Sequence, residues 1–346
     1  MKTTGYIHKL TITCALFSLL LNYKNASSND FRSCDKTIEQ YRIVETGAGG
    51  HSLENAGTYC LSQDIFVKWN YSWIEGRYQF SSNNVIEINT SDLILNLHGY
   101  EIWNDGYLQA VISRGGKEQE SKASHLTESV GIRNGSITVR TSGDGIVLVG
   151  LGGDHTLDTA SDLYDVWISR NGDSKNESAR RDSIELAETS MKRRLREPAP
   201  RSAEDYPARH ITIENLKIKI KGGGRAIVRQ GAGTIIRNNV IEVEGGTAIW
   251  SAGPNAVIEG NTIIVTGRKN VVSADAAIRL KHGGGAVIRN NRFIIKSGAN
   301  KRLISVFDSG EFRFENNKVG GLKKDEKIAF AFSGTLKIRD SKGALE

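Results

Sequence analysis

Proline and cysteine are both scarce in this 346-residue chain, at four and three residues. Neither cysteine nor histidine recurs at a metal-ligand spacing, so a zinc site of the structural kind is excluded. Three of the four prolines, Pro198, Pro200 and Pro207, lie together, which leaves the rest of the chain almost without residues that forbid strand pairing. The apolar stretch Leu10 to Leu21 falls short of the ~18 residues that span a bilayer. It follows Lys2 and Lys9 and precedes small residues at Ala26 to Ser28, the layout of a secretory signal removed after Ser28; a membrane anchor is the alternative. Charge of one sign does not dominate either. Of the net +7, Lys2, Lys9 and Lys24 supply three within the removable segment, which holds no acid, and +4 remains. That mild excess gives nucleic-acid binding little support. The expectation is a secreted or periplasmic protein with no stable membrane insertion after signal cleavage. Acidic polysaccharide is the polyanion it would meet there.

Cys14 falls inside the apolar segment, so two cysteines remain, Cys34 and Cys60. An oxidising compartment makes a disulfide between them the expectation, contributing about 3 kcal/mol; two free buried thiols are the alternative. Both precede the regular part of the chain. Residues 29–56 therefore read as an N-terminal cap, which a repetitive strand stack needs to avoid edge-to-edge pairing.

What the chain does have is a repeat. Ile213-Glu-Asn-Leu, Ile236-Arg-Asn-Asn, Ile258-Glu-Gly-Asn, Ile288-Arg-Asn-Asn, Phe314-Glu-Asn-Asn and Ile338-Arg-Asp-Ser follow one another at intervals of 23, 22, 30, 26 and 24 residues. Such periods mark a solenoid. At the second position Glu214, Arg237, Glu259, Arg289, Glu315 and Arg339 alternate in sign. If successive motifs stack as parallel strands about 4.8 Å apart, each Glu lies between two Arg, whereas like charges stacked this way would repel. The alternation argues for coil on coil. It is architectural, since opposite signs cancel within a Debye length of about 8 Å.

Period-two alternation separates inward from outward positions around each motif. Thr234 and Ile236 point in, Ile235 and Arg237 out, Asn238-Asn239 turns a corner, and Ile241 and Val243 point in again. Ala256, Ile258, Ile263 and Val265 repeat this, as do Ala286, Ile288, Phe293 and Ile295. About nine residues before each motif lies another short apolar strand, such as Ala226-Ile-Val or Ala248-Ile-Trp, giving three strands per turn. The corner needs left-handed backbone angles, which Asn and Gly tolerate. Asn239, Asn261, Asn291 and Asn317 would stack as an amide ladder. On these residues the chain resembles the right-handed parallel β-helix repeat proteins of the pectin-lyase-like superfamily, whose asparagine ladder sits between the second and third strands. The resemblance covers roughly residues 55–340. It implies an all-β fold, a right-handed parallel β-helix of about nine three-strand coils over 57–340, and leaves the activity open, since the superfamily holds lyases, hydrolases, epimerases, adhesins and tailspikes.

Two earlier stretches, Ile132-Arg-Asn-Gly-Ser-Ile and Leu163-Tyr-Asp-Val-Trp-Ile, match the motif, and Leu93 to Ile102 resembles the opening coil usual in these proteins. Tyr164 is then where the sign pattern lapses. From Leu163 to Ile213 two motifs stand 50 residues apart, so an insertion is placed at 172–209. Within it Ile184, Ala187, Met191 and Leu195 have helical spacing. Outward Val147, Val149 and Val228 are too apolar to be left wet, and that helix is expected to pack over them beside a groove.

Beyond the valines come Arg229, Gln230, Trp250, Asp275, Arg279, Lys281 and His282. An indole beside guanidinium and ammonium groups suits a uronic-acid chain, stacking on the sugar's apolar face while cations pair with carboxylates. The resemblance implies that substrate lies on this same face. Trp250, Arg229, Gln230 and Asp275 are the expected binding residues. For a lyase, Lys281 or His282 would be the base that removes the proton beside the carboxylate, and Arg279 would stabilise the enolate. The acid cluster of the calcium-dependent pectate lyases is missing, as are the Asn-Thr-Asp and Gly-His-Gly signatures of the polygalacturonase-type hydrolases. Hydrolysis also needs two carboxyl groups at a set separation, and no such pair stands out. No resident metal or cofactor is expected. The acid-rich turn Asp154-His155, Asp158, Asp162 and Asp165 could hold calcium, although its spacing fits no required ligand geometry and a solvated loop is preferred. Lys217, Lys219 and Lys221, outward on one third strand, read as a stripe that keeps a face wet. The function expected is an exported protein that engages a polysaccharide, as a lyase of acidic glycans or as a non-catalytic rod. The oligomeric state stays open.

Overall fold

The computed structural model describes residues 33–39, 51–67, 71–74, 77–80, 85–105, 109–113, 127–140, 143–149, 208–267, 276–296, 302–309, 311–321, 329–334 and 337–338. Its strands wind into three parallel faces. The first is a sheet of nine strands in strict chain order, from His51–Leu53 through Val111–Ser113, Ile146–Val149, Ile227–Gln230, Ile249–Ala252 and Ile278–Lys281 to Ala329–Gly334. The second and third faces belong to one 16-stranded sheet, because Val130–Val139 and Thr212–Ile220 each run unbroken around the corner between them. A hairpin, Tyr71–Ile74 with Arg77–Phe80, is the one antiparallel pair among the described residues.

Inward positions build the core as the alternation dictates. Ile213, Ile236, Ile258, Ile288 and Phe314 stack in register and are fully buried, as are Ile241, Ile263 and Phe293 in the third-face column. Each such side chain contributes about 1.5–3 kcal/mol of burial, and Phe293 and Phe314 add a tilted ring contact at 6.2 Å. At the corner the first residue of each pair takes the left-handed conformation, with φ of 55° at Asn215, 57° at Asn238, 66° at Gly260, 56° at Asn290 and 52° at Asn316. The second residue forms the ladder. Asn239 Nδ2 donates to Asn261 Oδ1, Asn261 Nδ2 to Asn291 Oδ1 and Asn291 Nδ2 to Asn317 Oδ1, each at 3.0 Å. Each side chain also donates to a carbonyl of the preceding motif, such as Ile236 O from Asn261. Buried amides are tolerated here because their hydrogen-bonding capacity is filled.

The charge ladder extends further towards the N-terminus than its motifs suggest. Arg133 pairs directly with Glu214, and Glu214 with Arg237, then Glu259, Arg289 and Glu315. Contacts within it are pairwise. Arg237 donates to Glu214 at 2.7 Å and Arg289 to Glu259 at 2.7 Å, each reaching to the coil before its own. The Arg133–Glu214 register leaves no coil between these two strands; Leu163 to Ile168, with Tyr164, lies outside the described residues. Residues 150–207, which include most of the insertion expected at 172–209, lie outside the described residues. The first-face strand Ile146–Val149 precedes them, and Ala208–Arg209, at the end of the expected insertion, is a strand paired with Thr127–Glu128. The expected helix at 184–195 and the acid-rich turn at 154–165 lie outside the described residues, as do Met1 to Ser28. Nor does Leu93 open the stack. Gly57–Leu61 and Ile65–Val67 form a coil ahead of it, and Lys36–Ile38 pairs ahead of that. Cys34 and Cys60 are joined in a disulfide, tying this first strand to the coil beneath.

Candidate functional site

The outward side of the first face begins as an apolar strip. Ile112, Val147, Val228 and Trp250 occupy one column in register, and Arg279 and Ser305 continue it. With Ala252 the first four make a hydrophobic cluster separate from the core, and they are as buried as core residues. Val147 and Val228 are therefore not left wet, as their chemistry demands. Between the coils of Trp250 and Arg279 the column turns from apolar to cationic.

The residues expected to bind a ligand fall into three groups. Arg229 points the other way. It follows outward Val228 and precedes outward Gln230, so strand alternation sends it into the coil, where it is 0% exposed. Its Nε donates to Ser251 Oγ at 2.9 Å, Nη2 to Gly253 O at 3.2 Å and Nη1 to Gly231 O. It holds the two turns that follow adjacent first-face strands and is removed from the binding set. Trp250 and Arg279 do face outward, in register with each other, but are only 5% and 7% exposed. Trp250 is packed in the apolar cluster, so its ring is no open stacking platform. Its indole Nε1 is buried without an acceptor among the described residues. Gln230, Lys281 and His282 form the third group and are partly exposed. Lys281 stands two residues after Arg279 on the same side of the strand, about 7 Å along it. His282 turns the chain with φ 53°. Arg279 and His282 each take part in contacts already. Asp275 lies outside the described residues.

The signal that Arg229 is internal was present in its parity. The burial of Trp250 had no local signal, because what covers an outward position is set by chain distant in sequence. Ser251, the partner of Arg229, could have been found by pairing the two strands, since an inward serine beside an inward arginine is a hydrogen bond waiting to form.

Among the described residues no group of three or more His, Cys, Asp or Glu could hold a metal ion. No helix among them is long and apolar enough to cross a membrane. A family model described as the right handed beta helix region matches residues 203–342. No curated protein matches the chain, and no solved structure does.

Proposed function

We propose that this chain, a right-handed parallel β-helix repeat protein, is an exported protein that engages an acidic polysaccharide along its first face, around the coils of Trp250, Arg279 and Lys281. The observation that carries the reading is the change of the outward column from Val228 and Trp250 to Arg279, with Lys281 beside it and partly exposed. A carboxylate on Lys281 would be met by a charge-assisted bond. The disulfide between Cys34 and Cys60 fits an oxidising compartment.

The finer proposal is elimination. Lys281 or His282 would withdraw the proton beside the uronate carboxylate, and Arg279 would stabilise the enolate. The burial of Trp250 and Arg279 favours a second reading, a non-catalytic rod whose first face is structural. Incubating the purified protein with alginate, pectate and glycosaminoglycans, while following the ultraviolet absorbance of the unsaturated product, separates the two. Elimination predicts a signal on at least one substrate that Lys281→Ala or His282→Ala abolishes. Absence of signal on all of them removes the lyase, and absence of binding on a glycan array removes the polysaccharide reading with it.

A further inference from the structure

The third face carries a charge imbalance that the first-face reading does not use. Across five coils its outward residues form three columns. Lys217, Val240, Thr262, Arg292 and Lys318 stand in register in one, and Lys219, Glu242, Ile264 and Ile294 in the next. Lys221, Glu244, Thr266 and Lys296 continue the alternation in the third. Among the described residues of these columns, Lys217, Lys219, Lys221, Arg292, Lys296 and Lys318 thus stand with two acids, Glu242 and Glu244. Glu242 is already matched, with Lys219 Nζ at 2.9 Å and Lys296 Nζ at 3.9 Å. Lys217, Lys221, Arg292 and Lys318 are all exposed and form no ion pair among the described residues. Set among them are Val240, 42% exposed, and partly exposed Ile264 and Ile294.

We propose that this face is a second binding surface, on which an acidic polysaccharide lies across the coils. Its carboxylate or sulfate groups meet Lys217, Arg292 and Lys318, and its apolar sugar faces rest on Val240, Ile264 and Ile294. The sheet fixes the spacing. Arg292 and Lys318 are one coil apart, about 4.8 Å, and Lys217 and Arg292 three coils apart, about 14 Å. Anionic groups repeated along a chain are therefore matched by cations whose anchor points the sheet holds at fixed spacing, although each long side chain must still order on binding. A flat sheet of short aliphatic side chains suits a ribbon-like glycan better than a membrane, since none projects far enough to enter the acyl region. Excess cation fits a polyanion, and the exposed carbon between the cations fits sugar rings. The surface is distinct from the Lys281 region, so either can fail without the other.

Affinity electrophoresis of the whole protein in gels containing polygalacturonate, neutral dextran or neither tests it, at low and high salt. Retardation is expected in polygalacturonate alone, weakening with salt. The triple variant K217Q/R292Q/K318Q should bind about tenfold more weakly and with a flatter salt dependence, three exposed ion pairs being lost. The charge-keeping variant K217R/R292K/K318R should restore binding, which separates lost charge from lost fold. Unchanged retardation of the Gln variant overturns the proposal. So does loss of binding in Lys281→Ala with none in the Gln variant, which would put the glycan on the first face alone. Equal binding to phosphatidylserine vesicles overturns the assignment to a glycan.

Discussion

Arg225 grips the carboxylate of Asp144 across 81 residues of sequence. Its Nε lies 3.1 Å from Oδ1 and its Nη2 2.8 Å from Oδ2, while its backbone N–H adds a bond to Oδ1 at 2.7 Å. Asp144 is buried and stands just before the strand Ile146–Val149; Arg225 stands just before Ile227–Gln230. Removing either partner leaves a buried charge or a buried N–H unmet. Asp144→Ala should destabilise by about 2–3 kcal/mol in chemical denaturation, and Asp144→Asn by less, because the amide oxygen can still accept. Equal stability of all three proteins would show the pair to be idle.

The amide ladder makes a sharper demand. Asn261 Nδ2 serves Ile236 O and Asn291 Oδ1, while its Oδ1 accepts from both the backbone and the side chain of Asn239. Asn261→Ala therefore orphans several buried groups at once and should cost about 3 kcal/mol or more. Asn261→Leu should cost about as much, since volume is not what is missing. A leucine variant as stable as the parent would place the value of the ladder in packing instead.

His51 gives the fold an acid sensitivity. Burial lowers its pKa below the ordinary 6.5, only partly offset by a hydrogen bond that the ring donates to the Glu39 backbone carbonyl. The unfolded chain thus takes up a proton near pH 6.5 while the folded one resists. The contribution of neutral His51 to stability is present above that pH and is lost as pH falls towards the depressed folded-state value. Denaturation midpoints measured from pH 7.5 down to 5 should fall in the parent more steeply than in His51→Gln. Parallel curves would mean that another group sets the acid limit.

Arg229→Met tests the inward assignment. Methionine fills much of the volume but leaves Ser251 and the carbonyls of Gly231 and Gly253 without their donor, so stability should drop by about 2–4 kcal/mol. Glycan binding per folded molecule should not change. Binding loss at preserved stability would return Arg229 to the surface.

The coil pattern was readable because strand alternation and the repeated corner both write themselves into local sequence. Ile236, Asn238 and Asn239 declare an inward side chain, a left-handed corner and a ladder rung within four residues. Arg133 carries the charge at the second place of its motif, and the pairing with Glu214 follows it; Leu163-Tyr-Asp-Val has no such charge and lies outside the described residues. The site was less legible. Parity put Arg229 inside, yet its charge drew it towards the binding set, and the burial of Trp250 depends on what lies over the sheet. The third-face cations are scattered from Lys217 to Lys318, and only the register shows that they share one surface.

The Arg133–Glu214 pairing also sets an order of assembly. From Glu214 onwards, each new coil closes a loop of 22–30 residues on the one before it. Joining Glu214 to Arg133 closes one of 81 residues, which costs about 1 kcal/mol more in chain entropy. Residues 208–338 can thus propagate from any local nucleus as a linear array, while the seam to residues 33–149 waits on a slower, longer-range encounter. Pulsed hydrogen exchange during refolding should show amides of the later coils protected before Arg133 and its neighbours.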